Sequence, residues 1–225
     1  MVLSKLFLVR HGQIQSGDLG RYWGQTDIPL NANGLFQAEK LRDRLELETI
    51  QIIYSSVLKR ALRTADIIAS PHKVVATTCC ELNEIHFGQC EGMTFAEIQG
   101  FYPEVAKRLL RSDPGLEFLG GESLHTLASR VSGFVAKLTN GGLADNSLVV
   151  AHGGSLRMLI CQFLGMDPSC WWQIRLDLAS LTIIDVHPDG AVLCLLNDVC
   201  HLEPIRSQSQ RMDHKGGLYA ETQSP

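Results

Sequence analysis

Short apolar runs alternate along this chain with runs whose apolar residues recur every three to four positions, and that alternation leaves few architectures open. Leu3 to Val9 reads as a buried strand that ends in Arg10-His11-Gly12. A Gly-containing loop to Asn31 leads into a helix marked by Leu35, Ala38, Leu41 and Leu45, with Asn31 or Asn33 placed to cap it. Gln51 to Tyr54 is a short strand. After Ser55-Ser56 comes a helix carrying Leu58, Ala61, Leu62, Ala65, Ile68 and Ala69, which Pro71 must stop. Lys73 to Ala76 is a further strand. From Cys90 to about Asn140 the pattern turns helical (Thr94 to Gln99, Glu104 to Leu110, Ser123 to Leu138) and reads as an insertion able to cover a site. A strand returns at Ser147 to Ala151, ends in His152-Gly153-Gly154 and gives way to a helix over Ser155 to Leu164. Leu181 to Val186 and Ala191 to Leu196 form a closing hairpin across Pro188-Asp189-Gly190. The expected fold is α/β: a three-layer α/β/α sandwich on a mostly parallel sheet with a helical lid insertion at about 90–140. Residues 1–206 are expected to form one domain, and 207–225 a polar tail.

Composition narrows the function. Hydrophobic side chains make up 45% of 225 residues, enough apolar surface to offset chain entropy, so disorder of the whole chain is excluded. Lys and Arg number 20 against 24 Asp and Glu, a formal charge of −4; no global basic field exists to neutralise phosphates, and a nucleic-acid partner is not expected. The longest apolar run, Ala191 to Leu196, falls far short of the ~18 residues a membrane span needs. Only Leu6 to Val9 precede Arg10, too few for the apolar segment of a secretory signal, so a cytoplasmic location is expected. The seven cysteines are odd in number and lack a C-x-x-C pair, which predicts reduced, mostly buried thiols and no metal site.

Two segments share one design. Leu8-Val9-Arg10-His11-Gly12 and Val149-Val150-Ala151-His152-Gly153-Gly154 each set a histidine after a buried strand and before glycine. In open α/β sheets the carboxyl ends of strands form the ligand crevice, so both histidines fall where a site belongs. Glycine beside each lets a ligand approach the backbone, and the helix starting near Ser155 turns its N-terminus toward the same crevice, which favours an anion.

Arg10-His11-Gly12 resembles the R-H-G signature of the histidine phosphatase superfamily, the phosphoglycerate-mutase-like proteins. Five further stretches agree, in the family's order. Gly24-Gln25-Thr26-Asp27-Ile28-Pro29-Leu30 with Gly34 is similar to its G-x-x-D-x-P-L…G loop. Ser55-Ser56-Val57-Leu58-Lys59-Arg60-Ala61 with Thr64-Ala65 resembles S-S-x-L-x-R-A-x-x-T-A. Leu82-Asn83-Glu84-Ile85-His86-Phe87-Gly88 with Glu91-Gly92 resembles L-x-E-x-x-F-G-x-x-E-G, and Gly121-Glu122-Ser123 and Ala151-His152-Gly153 complete the set. The likeness runs from about residue 3 to 200.

The resemblance implies a phosphomonoester hydrolase that needs no metal or other cofactor. It makes His11 the nucleophile, forming a phosphohistidine. Arg10, Arg60 and His152 would surround the phosphoryl group, with Gln13, Gly24 and Gly153 also contributing to the phosphate and substrate site. Glu84 would protonate the leaving oxygen and then activate water. Glu81 and Glu91 lie nearby, but the motif selects Glu84; His86 is read as structural. Where family members often carry an Asn contacting phosphate, six positions after the nucleophile, this chain has Gly17, and Gln13, Gln15 or Ser16 would have to compensate. Mutases of the family follow the acid Glu with Arg and then Tyr; here those positions are Ile85 and Phe87, which favours phosphatase over phosphoglycerate mutase. Length and spacing are similar to those of α-ribazole-5′-phosphate phosphatases of cobalamin synthesis, and the lid's Phe95, Ile98, Phe101, Tyr102 and Phe118 would either stack on a heterocyclic base or form the lid's own core. Three alternatives stay open: a mutase, a non-catalytic phosphate-binding relative, and a metallohydrolase using His11, His152 and Glu84. The partner expected is a small phosphate ester, and a homodimer is left open.

Overall fold

The computed structural model describes residues 4–15, 20–111, 113, 115–140 and 146–202. Its strands are β1 (Ser4–Arg10), β2 (Ile52–Ser55), β3 (Ala76–Thr78), β4 (Ser147–Ala151), β5 (Leu181–His187) and β6 (Gly190–Asp198). They form one sheet in the order β3-β2-β4-β1-β5-β6. Pairings β3–β2, β2–β4 and β4–β1 are parallel, whereas β1–β5 and β5–β6 are antiparallel. The sheet is thus mostly parallel, with a hairpin closing one side.

The helices are α1 (Ala32–Leu45), α2 (Lys59–Ala69), α3 (Phe95–Phe101), α4 (Pro103–Leu110), α5 (Leu124–Asn140) and α6 (Gly153–Phe163). Alternate residues of β1 feed two cores, as the period of a strand requires. Leu6 and Leu8 pack with Leu127, Val131 and Phe134 of α5 and Leu156 and Leu159 of α6. Phe7 and Val9 pack with Leu41 and Leu45 of α1 and Ala61, Ala65 and Ile68 of α2. Helices therefore cover both faces, giving the α/β/α layering. Full burial of each such Leu, Ile or Phe contributes about 1.5–3 kcal/mol.

One consequence positions the site. β1 and β4 are neighbours, yet α1 after β1 lies on one face and α6 after β4 on the other. That reversal is a switch point, where a crevice opens at the carboxyl ends of strands. Arg10 is level with Ala151 across the pair, so the next residues, His11 and His152, leave the sheet side by side.

Several boundaries differ from the sequence reading. The third strand is Ala76–Thr78, not 73–76: a turn follows α2, Lys73 takes a left-handed backbone (φ 57°), and pairing starts only where Ala76 meets Ile53. Asn31, not Asn33, caps α1, its side chain accepting from Gly34 N at 2.8 Å. Helix α6 starts two residues early, at Gly153, with His152 as its N-cap. The 90–140 insertion is only partly a lid, because α5 is a true layer helix whose Phe134 meets Tyr54 of β2 edge to face at 5.4 Å. The cysteines are not mostly buried: Cys90 and Cys161 are, but Cys80, Cys194 and Cys200 are exposed. The expected tail at 207–225 lies outside the described residues. Among the described residues no helix is long and apolar enough to cross a membrane.

Candidate active site

His11 is 6% exposed at the end of β1. Its Nδ1 lies 2.7 Å from the carbonyl of Gly12, and a carbonyl can only accept, so Nδ1 carries the proton. The lone pair is left on Nε2. Burial first, then the positive charges of Arg60 and Arg10, hold the His11 pKa well below the ordinary imidazole value. The ring is therefore neutral near pH 7. Gly12 is required here by close approach: a Cβ would lie 2.5 Å from the Gly34 carbonyl at the start of α1.

His152 is fully buried, its ring centroid 5.0 Å from that of His11. Its proton sits on the other nitrogen. Arg60 Nε donates to Nδ1 at 3.2 Å, which leaves Nε2–H to donate to Ser56 Oγ at 2.8 Å; Ser56 then donates to Asn83 Oδ1 at 2.8 Å. This chain ties β4 to the start of α2 and to the segment before Glu84. Burial, then Arg60 and His11, depress the His152 pKa well below normal, so it too is neutral.

Arg60 is 1% exposed. Beyond its bond to His152, its guanidinium donates to the carbonyls of Gly24 (2.6 Å), Thr26 (2.8 Å) and Trp23 (3.3 Å). It thereby gathers the 23–26 loop around the crevice. Glu91 takes the backbone N–H groups of Gln25 and Thr26, each at 2.8 Å, and Asp27 takes Lys59 N at 2.7 Å. Gly24 is a second true close approach, since a Cβ there would meet the Ile85 carbonyl at 2.5 Å. Arg10 donates Nη1 to the Leu176 carbonyl at 2.6 Å, while its buried Nε has no protein partner. Burial lowers the Arg10 and Arg60 pKa values, and Glu84 opposes that in both. An unspent buried guanidinium donor beside a neutral imidazole is a place for an anion.

Glu84 reaches the N-terminus of α6. Gly154 N donates to its two carboxylate oxygens at 2.9 and 3.1 Å, and Ile85 N donates at 2.9 Å. The positive end of the α6 dipole faces it. A Cβ on Gly153 would stand 3.6 Å from the Arg10 guanidinium carbon and 3.7 Å from a Glu84 oxygen, so Gly153 sits between these groups. The backbone around Glu84 is braced from outside. Arg130 donates to the carbonyls of Glu81 (2.8 Å) and Glu84 (2.9 Å) and pairs with both oxygens of Glu122, at 2.7 and 3.0 Å. Glu122 also accepts His86 N at 2.9 Å.

The structure thus brings His11, Arg10, Arg60, Glu84, His152 and Gly153 together, and Gly24 enters through its carbonyl. Gln13 stands apart: its side-chain oxygen accepts from Asn33 Nδ2 at 2.7 Å and its N–H donates to Gln37 at 2.8 Å, so it serves the start of α1. Ser16 and Gly17 lie outside the described residues. Phe95 and Ile98 are core residues, Phe101 is 71% exposed, and Tyr102 Oη donates to Gln89 at 2.9 Å. Four residues of the network carried no assigned role in the sequence: Ser56, Asn83, Glu122 and Arg130. The first three lie inside the recurring motifs, which was a usable signal. Arg130 lies in mid-helix, outside every motif, and offered none.

The family model of the histidine phosphatase superfamily (branch 1) matches residues 6–199. Phosphoserine phosphatase 1 of Hydrogenobacter thermophilus is 35% identical over 198 residues, covering 88% of this chain and 94% of that protein. The adenosylcobalamin/alpha-ribazole phosphatase of Escherichia coli is 31% identical over 193 residues, covering 86% of this chain and 95% of that one. Among solved structures, the alpha-ribazole phosphatase of Shigella flexneri superposes with a TM-score of 0.80 at 30% identity, covering 86% of this chain and 96% of that chain.

Proposed function

This chain belongs to the histidine phosphatase superfamily and is a phosphatase, and from that premise we propose that it hydrolyses phosphomonoesters through a phosphohistidine on His11. The observation that carries this reading is the state of His11: a neutral ring, Nδ1 spent on its own loop, Nε2 free, beside the unpartnered Nε of Arg10.

In the first step the Nε2 lone pair attacks phosphorus and the bond from phosphorus to the ester oxygen breaks. Glu84 gives its proton to the departing alkoxide. In the second step Glu84 takes a proton from water, the resulting hydroxide attacks phosphorus, and the N–P bond breaks to return His11. Arg10 and Arg60 bring positive charge to the equatorial oxygens, and α6 adds its N-terminal dipole. His152 holds Arg60 in place and forms the opposite wall. Arg130 and Glu122 fix the height of Glu84. The reaction is assigned to these side chains without a metal ion.

For the substrate we favour α-ribazole 5′-phosphate, or a phosphate ester much like it, over a phosphoglycerate. Ile85 and Phe87, where mutases carry Arg and Tyr, are buried and apolar, and Phe87 meets Tyr22 and Phe118 edge to face at 5.1 and 5.0 Å. Neither can hold a carboxylate.

Intact-mass analysis of enzyme quenched during a single turnover tests the mechanism. A phosphoryl mass increment, stable to base, labile to acid and lost in His11→Ala, is expected. Turnover that slows in EDTA and recovers with a divalent ion would instead favour a metallohydrolase. For the substrate, kcat/KM for α-ribazole 5′-phosphate should exceed that of sugar and glycerate phosphates by ~100-fold, about 2.7 kcal/mol of transition-state binding. A flat panel overturns the substrate assignment and leaves the chemistry.

A further inference from the structure

Arg10 and His11 owe their placement to more than β1. The turn Asp177–Ser180, which leads into β5, holds the pair from behind. Ser180 O accepts Arg10 N at 3.2 Å, and Ala179 N donates to His11 O at 3.1 Å. Leu176 O, one residue before the turn, accepts the Arg10 guanidinium at 2.6 Å. The turn itself is strained. Ser180 N closes it on Asp177 O at 3.1 Å, and Ala179, its third residue, takes a left-handed backbone (φ 55°) although it carries a Cβ and is fully buried. A residue persists in that region only where its surroundings over-determine it.

Those surroundings come from the end of β6. Leu181 pairs with Asp198 and Ile183 with Leu195, so Leu196 and Asn197 together stand against Thr182 in a β-bulge. A bulge re-aims a side chain. Asn197 sits in it at φ 54°, a left-handed backbone that Asn tolerates better than most residues, and its N–H donates to Thr182 Oγ1 at 3.1 Å. The re-aimed amide meets Asp177 twice: Oδ1 accepts Asp177 N at 2.6 Å, and Nδ2 donates to Asp177 Oδ2 at 3.1 Å. At the far end of the turn, His201 Nε2 donates to Ala179 O at 3.1 Å. The turn is thus gripped at its first and third residues, and the groups it presents between those grips are the ones that hold Arg10 and His11.

We propose that Asn197 is a positioning residue, whose two bonds to Asp177 set the turn that aligns Arg10 and His11 for attack on phosphorus. The proposal rests on the phosphohistidine reading above and adds to it a residue that acts through Arg10 and His11.

The test exchanges the two side chains. In Asn197→Asp a second carboxylate faces Asp177 and the Nδ2 donor is gone, so kcat should fall about 30-fold or more, and phosphorylation of His11 in a single turnover should slow with it. Combining Asp177→Asn with Asn197→Asp restores one amide, one carboxylate and both bonds, so kcat should return to within about threefold of wild type. Rates are read at a temperature where circular dichroism shows each variant folded, so a loss of stability alone moves neither result. Asn197→Gly keeps the left-handed backbone and drops only the amide; it should show the same fall, and it serves if Asn197→Asp does not fold. Wild-type kcat in a folded single variant, or an exchanged pair no faster than Asn197→Asp alone, overturns the positioning role, while a phosphoenzyme in wild type upholds the chemistry. Turnover of wild type with no phosphoenzyme on His11 overturns both.

Discussion

The two histidine frames begin alike and end in opposite states. Each follows a buried strand and precedes glycine, and the parallel register of β1 with β4 sets them side by side. His11 keeps its proton on Nδ1, bonded to Gly12 O, and presents an unspent Nε2. His152 keeps its proton on Nε2, bonded to Ser56, and gives its Nδ1 lone pair to Arg60. One ring is free to form a bond to phosphorus; the other is spent on holding the guanidinium and the Glu84 segment. The neighbours, not the frame, divide the labour between them.

The largest expected effect would break this contrast outright if it failed. His11→Ala should lower kcat by about 10⁴-fold or more and abolish the phosphoenzyme. His152→Ala should cost about 10²–10³-fold yet still give a phosphoenzyme under single turnover. Equal loss, with no phosphoenzyme in either, would erase the division of roles.

Next, Glu84→Gln should slow esters of aliphatic alcohols by about 10²–10⁴-fold and p-nitrophenyl phosphate far less, because p-nitrophenolate leaves without a proton. Equal slowing of both would remove Glu84 as the proton donor.

Ser56→Ala sharpens the comparison from the His152 side. It strands the buried Nε2–H of His152 and leaves Asn83 Oδ1 with only the Val57 N–H, which should destabilise the fold by about 1–3 kcal/mol in urea titration. Nitrogen NMR of the rings should then show the proton of His152 disturbed and that of His11 still on Nδ1. A change at both rings would mean they share one network.

The smallest effect is a pH dependence of stability. The folded pKa values of both histidines lie below their unfolded value near 6.5, with burial the first cause. Below 6.5 the unfolded chain binds protons that the folded chain refuses, so stability is full above that pH and falls as pH drops toward the depressed folded values. Urea midpoints should decline between pH 7 and pH 5 by about 1 kcal/mol or more. By NMR both imidazoles should titrate well below 6.5. Titration of either near 6.5 would contradict the burial of the pair.

Much of this could be read from the chain, for identifiable reasons. Strand β1 was legible because it is buried on both faces and therefore continuously apolar. The capped start of α1 and the hairpin β5–β6 were legible because their signals are local. Strand β3 was misplaced because three residues on an edge carry little pattern, and its register is set by Ile53 rather than by its own sequence. Gln13 was assigned to the phosphate site as a stand-in for the family's Asn, whose position is Gly17 here, yet Asn33, twenty positions later, takes its side chain. Arg130 was invisible because its partners, Glu81, Glu84 and Glu122, are brought to it only when α5 packs on the sheet.

The sequence by itself determined the alternation of elements, the two histidines at strand ends, the glycines that admit close backbone approach, and Glu84 in its motif. These depend on short-range periodicity and on residue chemistry, which a linear chain displays. Tertiary structure alone decided which nitrogen of each histidine holds the proton, that the buried Nε of Arg10 lacks a protein partner while that of Arg60 donates to His152, and that Arg130 braces the backbone at Glu84. Those properties depend on groups tens of residues apart meeting in a dry interior, where a hydrogen bond or its absence sets the state of a charge.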